Sequence, residues 1–600
     1  MDKRDRVWLA ILTVSFAAGL AVSWQRWADP VIDSGREMNQ PLRLVEGETL
    51  YRDVGHIYGP LSPWFHAGLY RAFGPSINIL YVDGIGSALA ILAAVYWLGR
   101  RIMDPAAAGT ATLTVMWLCT FKPSGNYIFP YSYNALHGTL LALLTLGLSL
   151  RALRRPTFGS FVAAGLISGV TFLAKTEMGF AALFAGITAA ALASCSARRR
   201  VLLAGTFVAS TAILAGAVYG AIAANVGWRT LVFDCWLLVY NLPGPLRYFN
   251  RGISGFDHPL ASVVRVLIAT AKLAIIGAVI GSVSYLIAGP RSSASRARIV
   301  LVATLVLGAV LAVTTGLDWD RGPFLAMPVV LVAVLISRGR LPRVDSTVTL
   351  YAAFALAALA RILLHVRSGG AYGSFLLPIS IVVFTYLWVG PFPASLPDAV
   401  PRRMAVTLVL GLLLASAAGT AGVLAFRYRE LNTTKISASR GTMIAPPDIA
   451  TAWNEALAYI DSHTRPGDPI AVLPEGTSLT FLSGRRNPLR EEIVTPGFLD
   501  AAGEARVIRQ IDTAGTAVIL IVNRPTREFG AAVFGRDYNV TLMRWIVSRY
   551  APCATFGASA SGLDIGDKPF FVRAYCRAAI DGSHLRRRPL STSTPKPMGN

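Results

Sequence analysis

The sequence predicts a polytopic α-helical membrane protein of about thirteen transmembrane helices with a small α/β domain at its C-terminal end. Three observations lead there. Hydrophobic residues make up 54% of the 600 and charged residues only 15%, where an average soluble chain is about 25% charged. Lys and Arg outnumber Asp and Glu by 56 to 33, and the surplus sits in short clusters between long apolar runs. From about residue 426 the chain turns polar. Disordered and fibrous chains are thereby excluded, and a nucleic-acid binder would not scatter its basic charge among apolar runs.

An apolar stretch of about 20 residues crosses the hydrocarbon core as a helix. Thirteen such stretches stand at 7–24, 77–99, 106–121, 134–150, 157–174, 178–194, 201–223, 268–288, 299–315, 323–337, 346–364, 374–390 and 404–425. The first reads as a retained anchor, because its apolar core is long for a signal peptide and further spans follow. Basic residues fix the expected orientation. With the N-terminus inside, seven inner segments carry Lys3, Arg4 and Arg6; Arg100 and Arg101; Arg151, Arg154 and Arg155; and Arg198 to Arg200. They continue with Arg291, Arg296 and Arg298; Arg338, Arg340 and Arg343; and Arg402 and Arg403. Thirteen spans then leave the C-terminus outside.

Three polar regions fall on the outer face: a first loop at 25–76, a second at 224–262, and the tail after the 1–425 membrane module. Residues 426–585 read as an extracytoplasmic α/β domain. They hold an amphipathic helix (Trp453 to Ile460), a loop at Pro466-Gly467-Asp468, a β-like run from Ala517 to Val522 and a helix from Tyr538 to Tyr550. Residues 586–600, rich in Arg, Ser, Thr and Pro, read as disordered. Cys119, Cys195 and Cys235 read as packed thiols. Cys553 and Cys576 could pair if their domain faces an oxidising compartment.

The candidate chemistry concentrates in the first loop, where Asp29, Asp33, Glu37, Glu46, Glu48 and Asp53 gather just past a span. On a helix, Asp33 and Glu37 share a face. The stiff stretch His56-Ile57-Tyr58-Gly59-Pro60 sets a His and a Tyr near the membrane surface. The bland alternative is a solvated loop whose acids balance Arg36, Arg43 and Arg52. Charges at membrane depth are costly and point to cavities, partners or pathways: Asp83, Lys272, Arg361, His365 and the connection Lys175-Thr176-Glu177. Snorkelling accounts for Lys272. For Lys175 and Arg361, a lipid phosphate competes with pairing to Asp83 or Glu177. The seven His show no metal-ligand spacing, and neither a nucleotide-binding fingerprint nor a Gly-x-Ser-x-Gly element occurs. An external enzyme without a nucleotide site needs a substrate already activated outside, and a lipid-linked phosphosugar meets that need.

Asp29-Pro30-x-x-Asp33-x-Gly35-Arg36-Glu37, then Gly47-Glu48-x-Leu50-Tyr51-Arg52-Asp53 and Tyr58-Gly59-Pro60-Leu61, resemble the C-type (GT-C) glycosyltransferase superfamily. The nearest likeness is to bacterial family-39-like members, relatives of protein O-mannosyltransferases and lipid A aminoarabinose transferases. Lys175-Thr176-Glu177 and the tail segment Phe481 to Pro488 look similar to elements found there. The resemblance implies transfer of a sugar from a polyprenyl-phosphate-linked donor to a lipid, polysaccharide or protein acceptor, with inversion at the anomeric carbon. It implies a first-loop carboxylate as base, by position Asp33, with Glu37 and Asp53 as alternatives. Lys175 and Arg361 would meet the donor phosphate, supported by His56, Tyr58 and Glu177. The loop lacks the adjacent acidic pair of many relatives, so the base and the need for a divalent cation both stay open. The expected location is the bacterial inner (plasma) membrane, with the N-terminus cytoplasmic. Two other classes use the same membrane bulk: a transporter or flippase of lipid-linked sugars, and a non-catalytic envelope-assembly protein. No matching pair of broken repeats speaks for the transporter.

Overall fold

The computed structural model describes residues 2–123, 125–232, 242–288, 294–314, 323–338, 344–366, 371–558 and 570–577. Each of the thirteen apolar stretches contains helix. Among the described residues, seven helical segments are long and apolar enough to cross a membrane, including Lys3–Ser23, Ile77–Gly99, Tyr133–Arg154, Ala197–Val226 and Arg402–Leu431. Shorter apolar helices, such as Phe158–Ala174, Thr176–Leu192 and Ser346–Ile362, pack among them. The chain is a multi-pass membrane protein.

Local chemistry explains several helix starts. Asp104 accepts the N–H groups of Ala106 and Ala107, with Pro105 at the first helical position. Asp345 does the same for Thr347 and Val348. Close packing uses small residues. Gly165 and Gly169 lie one turn apart on Phe158–Ala174, and a β-carbon at Gly165 would stand 2.6 Å from the Phe207 carbonyl oxygen of the facing helix. That is the small-residue contact expected where lipid offers no hydrophobic drive. The outward faces of Ala197–Val226 and Pro259–Ala288 expose Val201, Ile213, Leu260, Leu267 and Ile275, which lipid would solvate. Lys272 is exposed on the second of these helices.

The polar tail forms two sheets. The last long helix continues to Leu431, beyond the expected end at 425, and leads into the hairpin β1 (Thr434–Ala438) and β2 (Gly441–Ala445). A four-stranded sheet follows in the order β3 (Ile470–Leu473), β4 (Val518–Val522), β6 (Phe571–Arg577), β5 (Tyr550–Gly557). β3 and β4 run parallel, with Ala501–Thr513 among the elements of the connection between them, and the other pairs are antiparallel. The expected helices appear as Pro447–His463 and Val540–Arg549, and the expected β-run as β4. Cys553 and Cys576 are disulfide-bonded across the edge pair. Cys119 and Cys195 are free thiols. Cys235, part of the 224–262 loop, Arg291, Arg340, Arg343 and the 586–600 tail lie outside the described residues.

The first loop is not a solvated connection. It contains the helices Ser34–Val45 and Leu61–Phe73, and the first of these is buried from Ser34 to Leu44. It is held against the C-terminal domain by a run of bonds. Asn39 Nδ2 donates to the Thr477 carbonyl at 2.6 Å and to Thr480 Oγ1 at 2.8 Å. Ser478 Oγ donates to the Pro30 carbonyl at 2.5 Å, and Gly55 N–H donates to the Arg490 carbonyl at 2.7 Å. Gly35 sits so close to Thr477 and Ser478 that no β-carbon fits. Arg43 completes the clamp through Glu492 at 2.9 Å, both side chains being at most 5% exposed.

Removing one partner of a buried ion pair strands the other, at a cost of about 3–5 kcal/mol. Arg43→Ala is therefore expected to lower the melting temperature of the detergent-purified protein well beyond an Arg52→Ala control, whose partner is at the surface. Equal melting of the two variants would show that the clamp carries no such weight.

Candidate functional site

A cavity of about 860 Å³ opens where the first loop, the membrane helices and the C-terminal domain meet. Its lining includes Asp29, Asp33 and Arg36 from the first loop and Glu475 and Arg524 from the C-terminal domain. Tyr58, Tyr131, Glu177, Arg361 and Tyr372 also line it, with Arg247 and Arg251 from the helix Gly244–Ser254.

Asp33 is the residue before Ser34–Val45 and has a backbone φ of +59°, a conformation that costs a non-glycine residue about 1–3 kcal/mol and persists where its surroundings enforce it. Those surroundings are visible. Its N–H reaches Glu475 Oε1 at 3.4 Å and its carboxylate meets Arg36 at 3.1 Å. The Asp33 side chain remains 25% exposed. Arg36, only 6% exposed, also bonds Glu37 at 3.1 Å and the Tyr131 carbonyl at 2.8 Å.

Glu475 and Arg524 arrive by a fold-level rule. Glu475 lies two residues beyond β3 and Arg524 two beyond β4, so the parallel pairing brings them together at the carboxyl ends of the strands, where sheets of this kind present binding groups. Their ion pair measures 3.0 Å. Burial raises the Glu475 carboxyl to about 7, with Arg524 opposing and Asp33 reinforcing the rise. Burial also raises Asp33, against the pull of Arg36 and Arg524.

On the membrane side, Arg361 bonds Glu177 at 2.5 Å and lies 4.3 Å from the Tyr372 ring centre. Lys175, 1% exposed, stands 3.7 Å from Glu177 and 3.3 Å from the Tyr58 ring centre. It therefore sits beneath Tyr58 and does not line the cavity. The fold joins both cations to Glu177, the pairing alternative read from the sequence.

Of the sequence candidates, Asp33, Tyr58, Glu177 and Arg361 line one cavity, with Lys175 behind it. The other three lie elsewhere. Glu37 is buried against Arg36 and accepts the Tyr133 N–H at 3.0 Å. Asp53 sits in a turn, bound to Arg52 and the Thr49 N–H. His56 donates from Nε2 to the Gly59 carbonyl at 3.0 Å, and burial pushes its imidazole down to about 3, so it is neutral. Asp29 belongs to the first-loop acids and the motif read from the sequence, whereas Glu475, Arg524, Arg247 and Arg251 are not among the sequence candidates. Of these four, Glu475 and Arg524 carry a usable signal, a charged residue just past an apolar run. Arg36 pairs with Asp33 and Arg524 with Glu475, and Asp29 Oδ1 accepts the N–H groups of Val31 and Ile32.

No protein-family model matches the chain, and no curated protein matches it in sequence. In three dimensions it is similar to the oligosaccharyltransferase of Archaeoglobus fulgidus, in complex with Zn and sulfate, at 14% identity and a TM-score of 0.50, over 86% of this chain and 68% of that one. It is also similar to ArnT from Cupriavidus metallidurans bound to undecaprenyl phosphate, at 13% identity and a TM-score of 0.49, over 94% and 98%. The fold assignment rests on the first. The chain shares the fold of that oligosaccharyltransferase.

A carboxyl whose native pKa is raised stabilises the fold fully below its ordinary value of 4.5, and that contribution is lost as pH rises through about 7. The melting temperature is therefore expected to fall more between about pH 5 and pH 8 in the wild type than in Glu475→Gln. The same pH dependence in both proteins would show that Glu475 holds no proton across that window.

Proposed function

We propose that this chain is a membrane glycosyltransferase that moves a sugar from a polyprenyl-phosphate-linked donor to an acceptor hydroxyl on the extracytoplasmic face. The observation that carries the reading is the cavity, whose lining includes the partly exposed Asp33 carboxylate together with Arg361, Arg247 and Arg251. Its GT-C fold, shared with an oligosaccharyltransferase, supports the same class.

In this reading Asp33 takes the proton of the acceptor hydroxyl as its oxygen attacks C1 of the sugar. A carboxyl raised by burial suits that task, because a base works best with a pKa nearer the operating pH. The bond from C1 to the phosphate oxygen breaks on the opposite side, so the anomeric centre inverts. Polyprenyl phosphate departs with the electron pair and needs no proton. Arg361 stabilises the charge growing on that phosphate, while Glu177 holds its guanidinium in place and Lys175 adds positive potential from beneath Tyr58. The disulfide between Cys553 and Cys576 favours an oxidising, extracytoplasmic side for the C-terminal domain. For a bacterial chain it supports an inner-membrane protein with its N-terminus cytoplasmic. Lipid, polysaccharide and protein hydroxyls all satisfy the acceptor chemistry.

The test uses purified protein in vesicles with a polyprenyl-phosphate sugar. Release of polyprenyl phosphate with transfer to an acceptor is expected, and Asp33→Asn should slow it by about 100- to 10,000-fold while membrane insertion is unchanged. Near-normal transfer by the variant would remove Asp33 from the mechanism. Movement of intact donor between leaflets without release would replace the enzyme with a transporter.

A further inference from the structure

The seven histidines show no pattern along the chain, yet the fold brings two of them to one carboxylate. His66 on Leu61–Phe73, Asp83 on Ile77–Gly99 and His137 on Tyr133–Arg154 converge from three helices. His66 Nε2 stands 2.8 Å and His137 Nε2 3.0 Å from the same atom, Asp83 Oδ2. None of the three lines the cavity described above. From this convergence we propose that His66, Asp83 and His137 form a binding site for a divalent transition-metal ion of the zinc type.

Charge is the first argument. Asp83 lies within a membrane helix with its side chain 9% exposed, where a carboxylate demands compensation. A divalent cation held by the carboxylate would offset that charge inside the bundle. Geometry is the second. Around a tetrahedral zinc with bonds of about 2.0–2.1 Å, ligand atoms stand about 3.3 Å apart, so the two His–Asp83 spacings need to open by only a few tenths of an ångström, and all three ligand atoms lie within 4.8 Å of one another. Two imidazoles and a carboxylate also match the ligand preference of such ions.

Outer partners are the third argument. Ser62 Oγ lies 2.8 Å from His137 Nδ1, and Ser87 Oγ donates to Asp83 Oδ1 at 3.4 Å. Both contacts use the atom turned away from the shared point, as supporting bonds around metal ligands do. The Tyr133 ring packs edge-on against His66 with centroids 4.4 Å apart, closing one side. An ion here would fasten the first-loop helix Leu61–Phe73 to the bundle. It would also brace Tyr133–Arg154, whose first N–H is held by Glu37. Its role is to stiffen the frame under the loop that carries Tyr58.

The full chain, purified in detergent through a tag free of histidine, is stripped with a chelator, given zinc and desalted. Metal analysis should then find about one zinc per chain, and zinc should raise the melting temperature. Asp83→Asn and His137→Gln should abolish retention, and Ser62→Ala should weaken zinc affinity by about 10- to 100-fold. No zinc on the wild type, or equal zinc on wild type and variants, would overturn the proposal. Should the variants fail to fold, cobalt on the wild-type chain decides: visible ligand-field bands of a four-coordinate ion support the site, and their absence refutes it.

Discussion

The first loop is wedged between the membrane bundle and the C-terminal domain, and the rest of the site depends on the two buried arginines that hold it there. Arg36 and Arg43 stand seven residues apart, two helical turns, and so share one face of Ser34–Val45. Arg36 reaches the bundle through the Tyr131 carbonyl and binds Asp33 and Glu37. Arg43 reaches the C-terminal domain through Glu492 and ties the loop to itself through Glu48 and the Asp53 carbonyl. Buried guanidiniums of this kind must be answered on every side, which is why so many loop acids serve structure and so few face the cavity.

The wedge has a consequence for chemistry. It carries Asp33 to the carboxyl ends of β3 and β4, where Glu475 and Arg524 wait, and it lays Tyr58 over Lys175. Three parts of the chain thus surround one cavity: a short loop helix, the membrane helices that bring Glu177 and Arg361, and a soluble sheet. The membrane side supplies cations held by a carboxylate, and the soluble side supplies carboxylates held by cations. Such a division suits a reaction that loses a proton at one point while a phosphate gains charge at another.

Much of this was legible in the sequence because membrane helices declare themselves by length and apolarity. Four candidates were readable: Asp33, Glu177 and Arg361 as charges close to a span, and Tyr58 in the stiff stretch of the first loop. Glu37 looked equivalent to Asp33 by helical spacing, but the helix buries it against Arg36. Glu475 and Arg524 join the site only through the parallel pairing of β3 and β4, which no local pattern announces. Strand β5 was hidden by Pro552 and by its exposed residues, half of the strand, features an edge strand tolerates. The meeting of His66, Asp83 and His137 is likewise a product of three-helix packing.

The central claim is that this cavity receives a lipid-linked phosphate at Arg361. A cryo-EM structure of the protein with added polyprenyl phosphate tests it most directly. The account predicts the phosphate within hydrogen-bond reach of the Arg361 guanidinium. A phosphate bound elsewhere on the protein, with Arg361 still bonded to Glu177 alone, would contradict it.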